Sequence, residues 1–356
     1  MKICFLGDAN SVHMHKWINF FKGINWEVYV ISFKEYKIEG VKIINLGENY
    51  SINSKGGNFQ YLFRLNKIRN IIKDIKPDII NAHYVTSYGF IAALTKYKPL
   101  VLSAWGTDIL VTPKKNIMYK LITKYALRKA DLITSDSNNM SEEIERLLGG
   151  SKRPIITVPM GVDIELFNKV RNFHKDSLNI LSLRSLDENS NVEVIIKAFS
   201  QIYLKYPKAV LYIGNEGPLK EGLMELTKAL NIEENVKFLG FASRQEIIKL
   251  FSESDYYISV PTSDATSVTL LEAMAAGIYP IVSDIPANKE WIEDKVNGSV
   301  INIKEEEIVK SVIDTYGNFQ YMNNVNNKNL DIIRQRASLQ ANMQCIAEAF
   351  KKFISN

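Results

Sequence analysis

The 356 residues are 46% hydrophobic and 23% charged, an ordinary balance for a globular protein and enough chain for two domain-sized cores. The only cysteines, Cys4 and Cys345, sit at opposite ends, which excludes a disulfide framework or a cysteine zinc site, and no apolar run reaches the roughly 18 residues of a membrane span. The formal charge of +5 is unevenly placed: residues 1–160 hold 23 Lys and Arg against 13 Asp and Glu, and the remainder 21 against 26.

Along the first half, short apolar runs alternate with amphipathic stretches. KICFLG ends in Gly7 and leads through a polar loop into HKWINFFKG, where Trp17, Phe20 and Phe21 share one side; strand, loop and helix are expected. WEVYVISF and VKIINLG follow as strands, YLFRLNKIRNIIKDIK as a helix, and PDIINAHY as a strand. YGFIAALTKY is the next helix, PLVLSAWG a strand, NIMYKLITKYALRKA a helix and DLITSDS a strand. Strands that are almost wholly apolar and separated by helices imply a parallel sheet covered on both faces. Pro159 and Gly161 break the pattern and the polar NKVRNFHKDSL follows, which places a domain boundary there.

A second series then runs through NILSLRSL, AVLYIGNEG, VKFLGF, DYYISVPT and YPIVSD as strands, with helices between them and polar turns around Asp294 to Gly298. The expected fold is α/β, with two Rossmann-like, doubly wound parallel-sheet domains (residues 1–160 and 161–330) facing across a cleft. Residues 331–356 are expected to form a final helix packing back toward the first domain. Ligands of such sheets bind beyond the carboxyl ends of the strands. The loops after Gly7, His83, Trp105, Arg184, Gly214, Gly240 and Thr262 are therefore expected at the cleft.

Asp8 and His13 interrupt the first apolar run too early for a signal peptide, and a cytoplasmic protein is expected. Residues 55–129 hold 14 basic and 3 acidic residues. Such a surface suits anionic lipid headgroups, a pyrophosphate-bearing molecule or nucleic acid, and a merely solvated face would look the same. Contact with the inner face of the cell membrane is the first of these readings.

The stretch SDATSVTLLEAMAAG, residues 263–277, carries the most chemistry. Asp264 stands at its head and Glu272 among Leu270, Leu271, Ala273 and Met274, where a core helix needs no acid. If Thr266 or Ser267 caps the helix, the amides of Val268 and Thr269 form a seat for a diphosphate. Eight residues separate the acids, about 12 Å if all were helical, too far for a catalytic dyad but suited to the two ends of an extended ligand. Carboxylates accept hydrogen bonds from vicinal hydroxyls, so Asp264 would hold a sugar and Glu272 a ribose. The plainer alternative is that Asp264 caps a turn and Glu272 faces solvent.

This stretch resembles the E-x7-E signature of retaining glycosyltransferases of the GT-B fold, family 4, with Asp264 in place of the first Glu. VPMGVDIELF, IGNEGP, VKFLGF and EAMAAGIYPIVSDIPANKEWIEDKVNG resemble further motifs of that family, in the same order. The resemblance implies that Arg184 in LSLRSL meets the donor diphosphate, with Gly7, Gly214 and Gly240 in donor-binding loops. It also implies that the loop after Gly7 approaches the acceptor, with Asn10, Ser11 and His13 as its polar groups. Trp105 and Asp108, in SAWGTD, are expected beside them, Trp105 replacing the family's usual His. His83 at a strand end is expected near the reacting centre, with a buried structural role as its alternative. Asn189, Ser190 and Asn191 stand where relatives have a phosphate-binding Lys.

The implied activity is metal-independent and needs no cofactor. A hexose or N-acetylhexosamine would pass from a nucleotide sugar, UDP-linked in the favoured reading and GDP-mannose otherwise, to a lipid-linked oligosaccharide or polysaccharide of the cell envelope. His83, Asp264 and Arg184 would serve the reaction. A nucleotide-sugar epimerase or a non-catalytic partner protein of the same fold are the alternatives. A dehydrogenase is disfavoured because no Gly-x-Gly-x-x-Gly follows the first strand, and nucleic-acid binding is not expected.

Overall fold

The structure, a computed structural model, describes residues 1–47, 60–167 and 178–355. Lys55 and most of the polar boundary stretch, residues 168–177, lie outside the described residues. Two compact units emerge: Met1–Met160 with Gln340–Asn356, and Gly161–Leu339. Both are parallel-sheet α/β domains.

The first unit holds β1 (Lys2–Leu6), β2 (Glu27–Ser32), β3 (Lys42–Asn45), β4 (Ile79–His83), β5 (Leu100–Ser103), β6 (Leu132–Ser135) and β7 (Ile155–Thr157). The second holds β8 (Asn179–Ser182), β9 (Val210–Gly214), β10 (Val236–Gly240), β11 (Tyr256–Ser259), β12 (Tyr279–Ser283) and β13 (Ser299–Ile301). Their orders are β3-β2-β1-β4-β5-β6-β7 and β10-β9-β8-β11-β12-β13, and each neighbouring pair is parallel. Helices cover both faces of the sheets, which is why β4, β5, β6, β11 and β12 are buried at every position. Each order reverses once, between β1 and β4 and between β8 and β11. Loops leaving adjacent strands at a reversal diverge and leave room for a ligand.

β7 and β13 differ from the sequence expectation, which read no strand in either place. Each is three residues long, too short for periodicity to register, and forms by pairing with β6 or β12. A helix at Asn138–Leu148 was likewise not anticipated. Ser137 Oγ caps it by accepting from the Met140 amide, and Gly149 ends it in the left-handed conformation.

The expected single helix over 331–356 is instead parts of two, Phe319–Arg336 and Leu339–Ser355. The break has a local cause. Val162 pairs with Ser338 in a parallel bridge, its amide donating to Ala337 O at 2.8 Å and its carbonyl accepting from the Leu339 amide at 3.0 Å. Gly161, at φ +81°, permits this approach, since a Cβ there would lie 2.7 Å from Ala337 O. The last helix belongs to the first unit. Its Phe350 stacks on Phe21 at 5.6 Å and lies 6.3 Å from Trp17.

Phe350 is fully buried, so Phe350→Ala is expected to destabilise the first unit by about 3–5 kcal/mol. Urea unfolding followed by tryptophan fluorescence checks this, because Trp17, Trp26 and Trp105 all lie in that unit.

Candidate active site

In the second unit, the carboxyl ends of β8 and β11 bring together residues 80 positions apart. Arg184 follows β8, and its Nη1 donates to Asp264 Oδ2 at 2.7 Å and contacts Ser267 Oγ at 3.4 Å. Arg184 and Asp264 side chains keep 16% and 20% of their surface exposed, enough for a ligand to reach them. Burial works against the Arg184 charge, but Asp264 beside it outweighs that cost and the guanidinium pKa is raised. Asp264 Oδ1 also accepts from the Ala265 amide at 2.9 Å.

The helix of this stretch spans Val268–Ala275, so Asp264 stands in the preceding loop and a helical rise does not measure its distance from Glu272. Ser267 is the cap, its Oγ accepting from the Leu270 amide at 3.3 Å. Val268 and Thr269 hold the remaining first-turn amides, which a helix cannot satisfy from within. Ser267 Oγ also meets Thr269 Oγ1 at 3.1 Å, and Tyr257 Oη meets Thr269 Oγ1 at 2.7 Å. Thr266 is buried beside them. Gly277 ends the helix at φ +70°, where a Cβ would collide with Asn326.

Glu272 is 3% exposed, which removes the solvent-facing alternative. Its Oε1 accepts from Arg244 Nη1 at 2.7 Å, and the Arg244 guanidinium lies 4.9 Å from the Phe167 ring centre. Arg244 was not singled out from the sequence. The available signal was indirect: a buried Glu requires a cation or several donors, and Arg244 opens a helix fixed by the capping box of Ser243 and Glu246.

The asparagines that replace the family's Lys have structural work. Asn189 exchanges two hydrogen bonds with Ser263, and its carbonyl accepts from the Thr262 amide. Asn191, at φ +50°, donates to Val260 O and Thr262 Oγ1. Together they brace the loop that presents Asp264. Gly214 and Gly240 end β9 and β10, and Asn215 N donates to Gly240 O at 2.6 Å. A Cβ on Gly214 would lie 2.4 Å from Leu183 Cδ2.

The first unit has a cavity of about 290 Å³ at the ends of β1 and β4, lined by Asp8, Ser11, His13, Lys34, His83, Tyr84, Ser87 and Trp105 among others. Gly7 is buried at the end of β1, and Asn10 is exposed, its amide donating to Asp8 Oδ1 at 2.9 Å. Ser11 precedes the first helix without a side-chain cap bond. His13 rests on Trp105 at 5.1 Å between ring centres, and His83 lies 5.3 Å from the same indole. Ser87 Oγ is buried with no hydrogen-bond partner among the described residues, a polar group suited to a ligand hydroxyl.

His83 is 4% exposed, and burial lowers its pKa to about 3. Its Nε2 meets Asn81 Oδ1 at 2.8 Å, while Asn81 Nδ2 donates to Ser103 Oγ. Asn81 Oδ1 can only accept, so Nε2 carries the proton and Nδ1 keeps its lone pair. His83 is therefore neutral near pH 7 and is not a proton donor of ordinary strength.

Asp108, expected from the sequence among the acceptor-binding groups, lies beneath the cavity wall. It is fully buried, with Oδ2 accepting from the Val85 amide at 2.7 Å and Oδ1 from the Trp105 amide at 3.0 Å. Burial raises its pKa to about 6 despite these amides. Asp108 positions the cavity wall: it fixes Trp105 and the residue after Tyr84, whose φ of +72° is costly for a tyrosine.

Residues 2–137 match the family described as glycosyl transferase 4-like, and residues 163–329 match glycosyl transferases group 1. The chain belongs to the family 4 glycosyltransferases of the GT-B fold. This glycosyltransferase is 25% identical to N-acetyl-alpha-D-glucosaminyl L-malate synthase of Bacillus anthracis, over 69% of its own length and 68% of that protein. It is 23% identical to alpha-monoglucosyldiacylglycerol synthase of Acholeplasma laidlawii, over 68% and 67%. Its fold matches Anabaena HepE, solved in complex with UDP and glucose, with a TM-score of 0.82 and 18% identity over 99% of each chain.

The burial of His83 sets a pH dependence. Between about pH 6.5 and 3 the unfolded chain binds a proton at this position and the folded chain does not, so stability falls as pH drops through that window. His83→Gln should flatten the slope by up to about 1.4 kcal/mol per pH unit, measured as urea midpoints at a series of pH values. Asp108→Asn leaves one amide facing an NH2 group and is expected to cost about 1–3 kcal/mol, read in the same unfolding assay.

Proposed function

We propose that this glycosyltransferase moves a hexose or N-acetylhexosamine from a UDP-sugar to a lipid-linked or polysaccharide acceptor of the cell envelope, with retention of anomeric configuration. The observation that carries the reading is the Arg184, Asp264 and Ser267 cluster at the β8/β11 reversal, beside the first-turn amides of the Val268–Ala275 helix. It combines a cation and first-turn helix amides for a diphosphate with an acid for sugar hydroxyls. Glu272 takes the ribose diol, and Arg244 shares its carboxylate. Anabaena HepE, solved with UDP and glucose, supports a uridine nucleotide, and the diacylglycerol synthase among the relatives supports a lipid-borne acceptor.

In this reading the acceptor lies in the first unit's cavity, where Ser87 Oγ and the His83 Nδ1 lone pair meet its hydroxyls. The acceptor oxygen bonds to the anomeric carbon on the leaving-group face as the bond to the diphosphate oxygen breaks. Both electrons leave with the nucleoside diphosphate, and the hydroxyl proton passes to a phosphate oxygen. Arg184 and the helix amides stabilise the charge that develops on the leaving group, so this route requires no metal ion.

Glu272→Ala should weaken UDP binding about 10- to 100-fold, the worth of one or two charge-assisted hydrogen bonds. Asp264→Ala should leave UDP affinity unchanged or raised, because Arg184 loses its counter-charge, while sugar transfer collapses. Calorimetry with UDP and transfer assays with nucleotide sugars and membrane-extract acceptors read the two effects. Loss of UDP binding in Asp264→Ala with retention in Glu272→Ala would reverse the roles of the two acids. Sugar conversion without an acceptor would identify an epimerase, and donor binding without any turnover a non-catalytic partner.

A further inference from the structure

The helix Ile117–Lys129 of the first unit turns Tyr119, Thr123, Ala126 and Leu127 inward. Its outer face is unusual. Ile117 is 69% exposed, Leu121 59% and Met118 47%, with Val111 exposed just upstream. Ile117 and Leu121 are one helical turn apart, so they form one apolar ridge. Around it, residues 109–130 contain Lys114, Lys115, Lys120, Lys124, Arg128 and Lys129 and no acid at all. A solvated helix of this length ordinarily mixes both signs and does not expose three large aliphatic side chains together.

We propose that this face is a docking surface for an anionic lipid bilayer. Aliphatic side chains at the centre of a lysine-rich face are what an interfacial helix uses, the former entering the acyl boundary and the latter meeting lipid phosphates. A second copy of the chain is disfavoured, since a two-fold contact through this face would set six cations against six. Nucleic acid would use the cations but gives exposed Ile and Leu no role. The surface also adjoins the cavity. Thr112 hydrogen-bonds Tyr84 of the cavity wall, two residues before Lys114, so a bilayer on this face would present headgroups close to the proposed acceptor site. That last point rests on the acceptor reading above, whereas the bilayer contact itself does not.

Co-sedimentation of the full-length protein with phosphatidylcholine vesicles, with and without phosphatidylglycerol, tests the proposal. Binding is expected only to the anionic vesicles and should weaken as salt rises. Ile117→Gln with Leu121→Gln, and separately Lys114→Glu with Lys120→Glu, should each lower the partition coefficient by about tenfold or more. All four positions are exposed, and UDP binding by the second unit should be unchanged, which reports intact folding. No binding of the wild type, equal binding to neutral vesicles, or variants that bind like the wild type would overturn the proposal. So would concentration-dependent self-association that Leu121→Gln abolishes while vesicle binding persists. Vesicle binding by a protein that binds no UDP would instead overturn the donor-site reading and leave this one standing.

Discussion

A parallel sheet covered on both faces offers a ligand access only at its strand ends, and among those ends the positions where strand order reverses are the open ones. Both sheets obey this constraint, and the chemistry of the chain gathers accordingly. Gly7 follows β1, His83 ends β4 with Tyr84 just beyond it, and Arg184 and Asp264 follow β8 and β11. The apolar strands behind them serve chiefly to hold these loop starts in register.

Charge satisfaction then decides how each acid behaves. Glu272, with almost no exposure, is tolerable only because Arg244 meets it, and Asp264 is drawn to Arg184 across 80 residues of sequence. Asp108 relies on backbone amides, and burial raises its pKa against them. The consequences for a ligand differ. In the proposed reading a ribose diol would share Glu272 with Arg244 and a sugar would share Asp264 with Arg184, each carboxylate keeping a partner that already exists.

The two departures from the family pattern also have physical accounts. Asn189 and Asn191 bind backbone and side-chain groups of residues 260–263, so that where the family pattern has a cation this chain has a firmly held loop. Trp105 places an indole against His13 and His83, giving the cavity an aromatic wall suited to the apolar face of a sugar ring.

The alternation of apolar runs and helices determined two parallel-sheet domains, because side-chain period and burial are local properties of the chain. In the SDATSVTLLEAMAAG stretch, the helix and its cap at Ser267, one of the two positions expected, were likewise legible in advance. Pairings were not legible in this way. That Glu272 meets Arg244, that Asp108 turns inward to the Val85 and Trp105 amides, and that Ser338 pairs with Val162 all depend on which distant segments arrive together. The three-residue strands β7 and β13 belong to the same class. Hydrogen bonds and ion pairs reach only a few ångströms, so tertiary structure alone decided which partner each polar group would find.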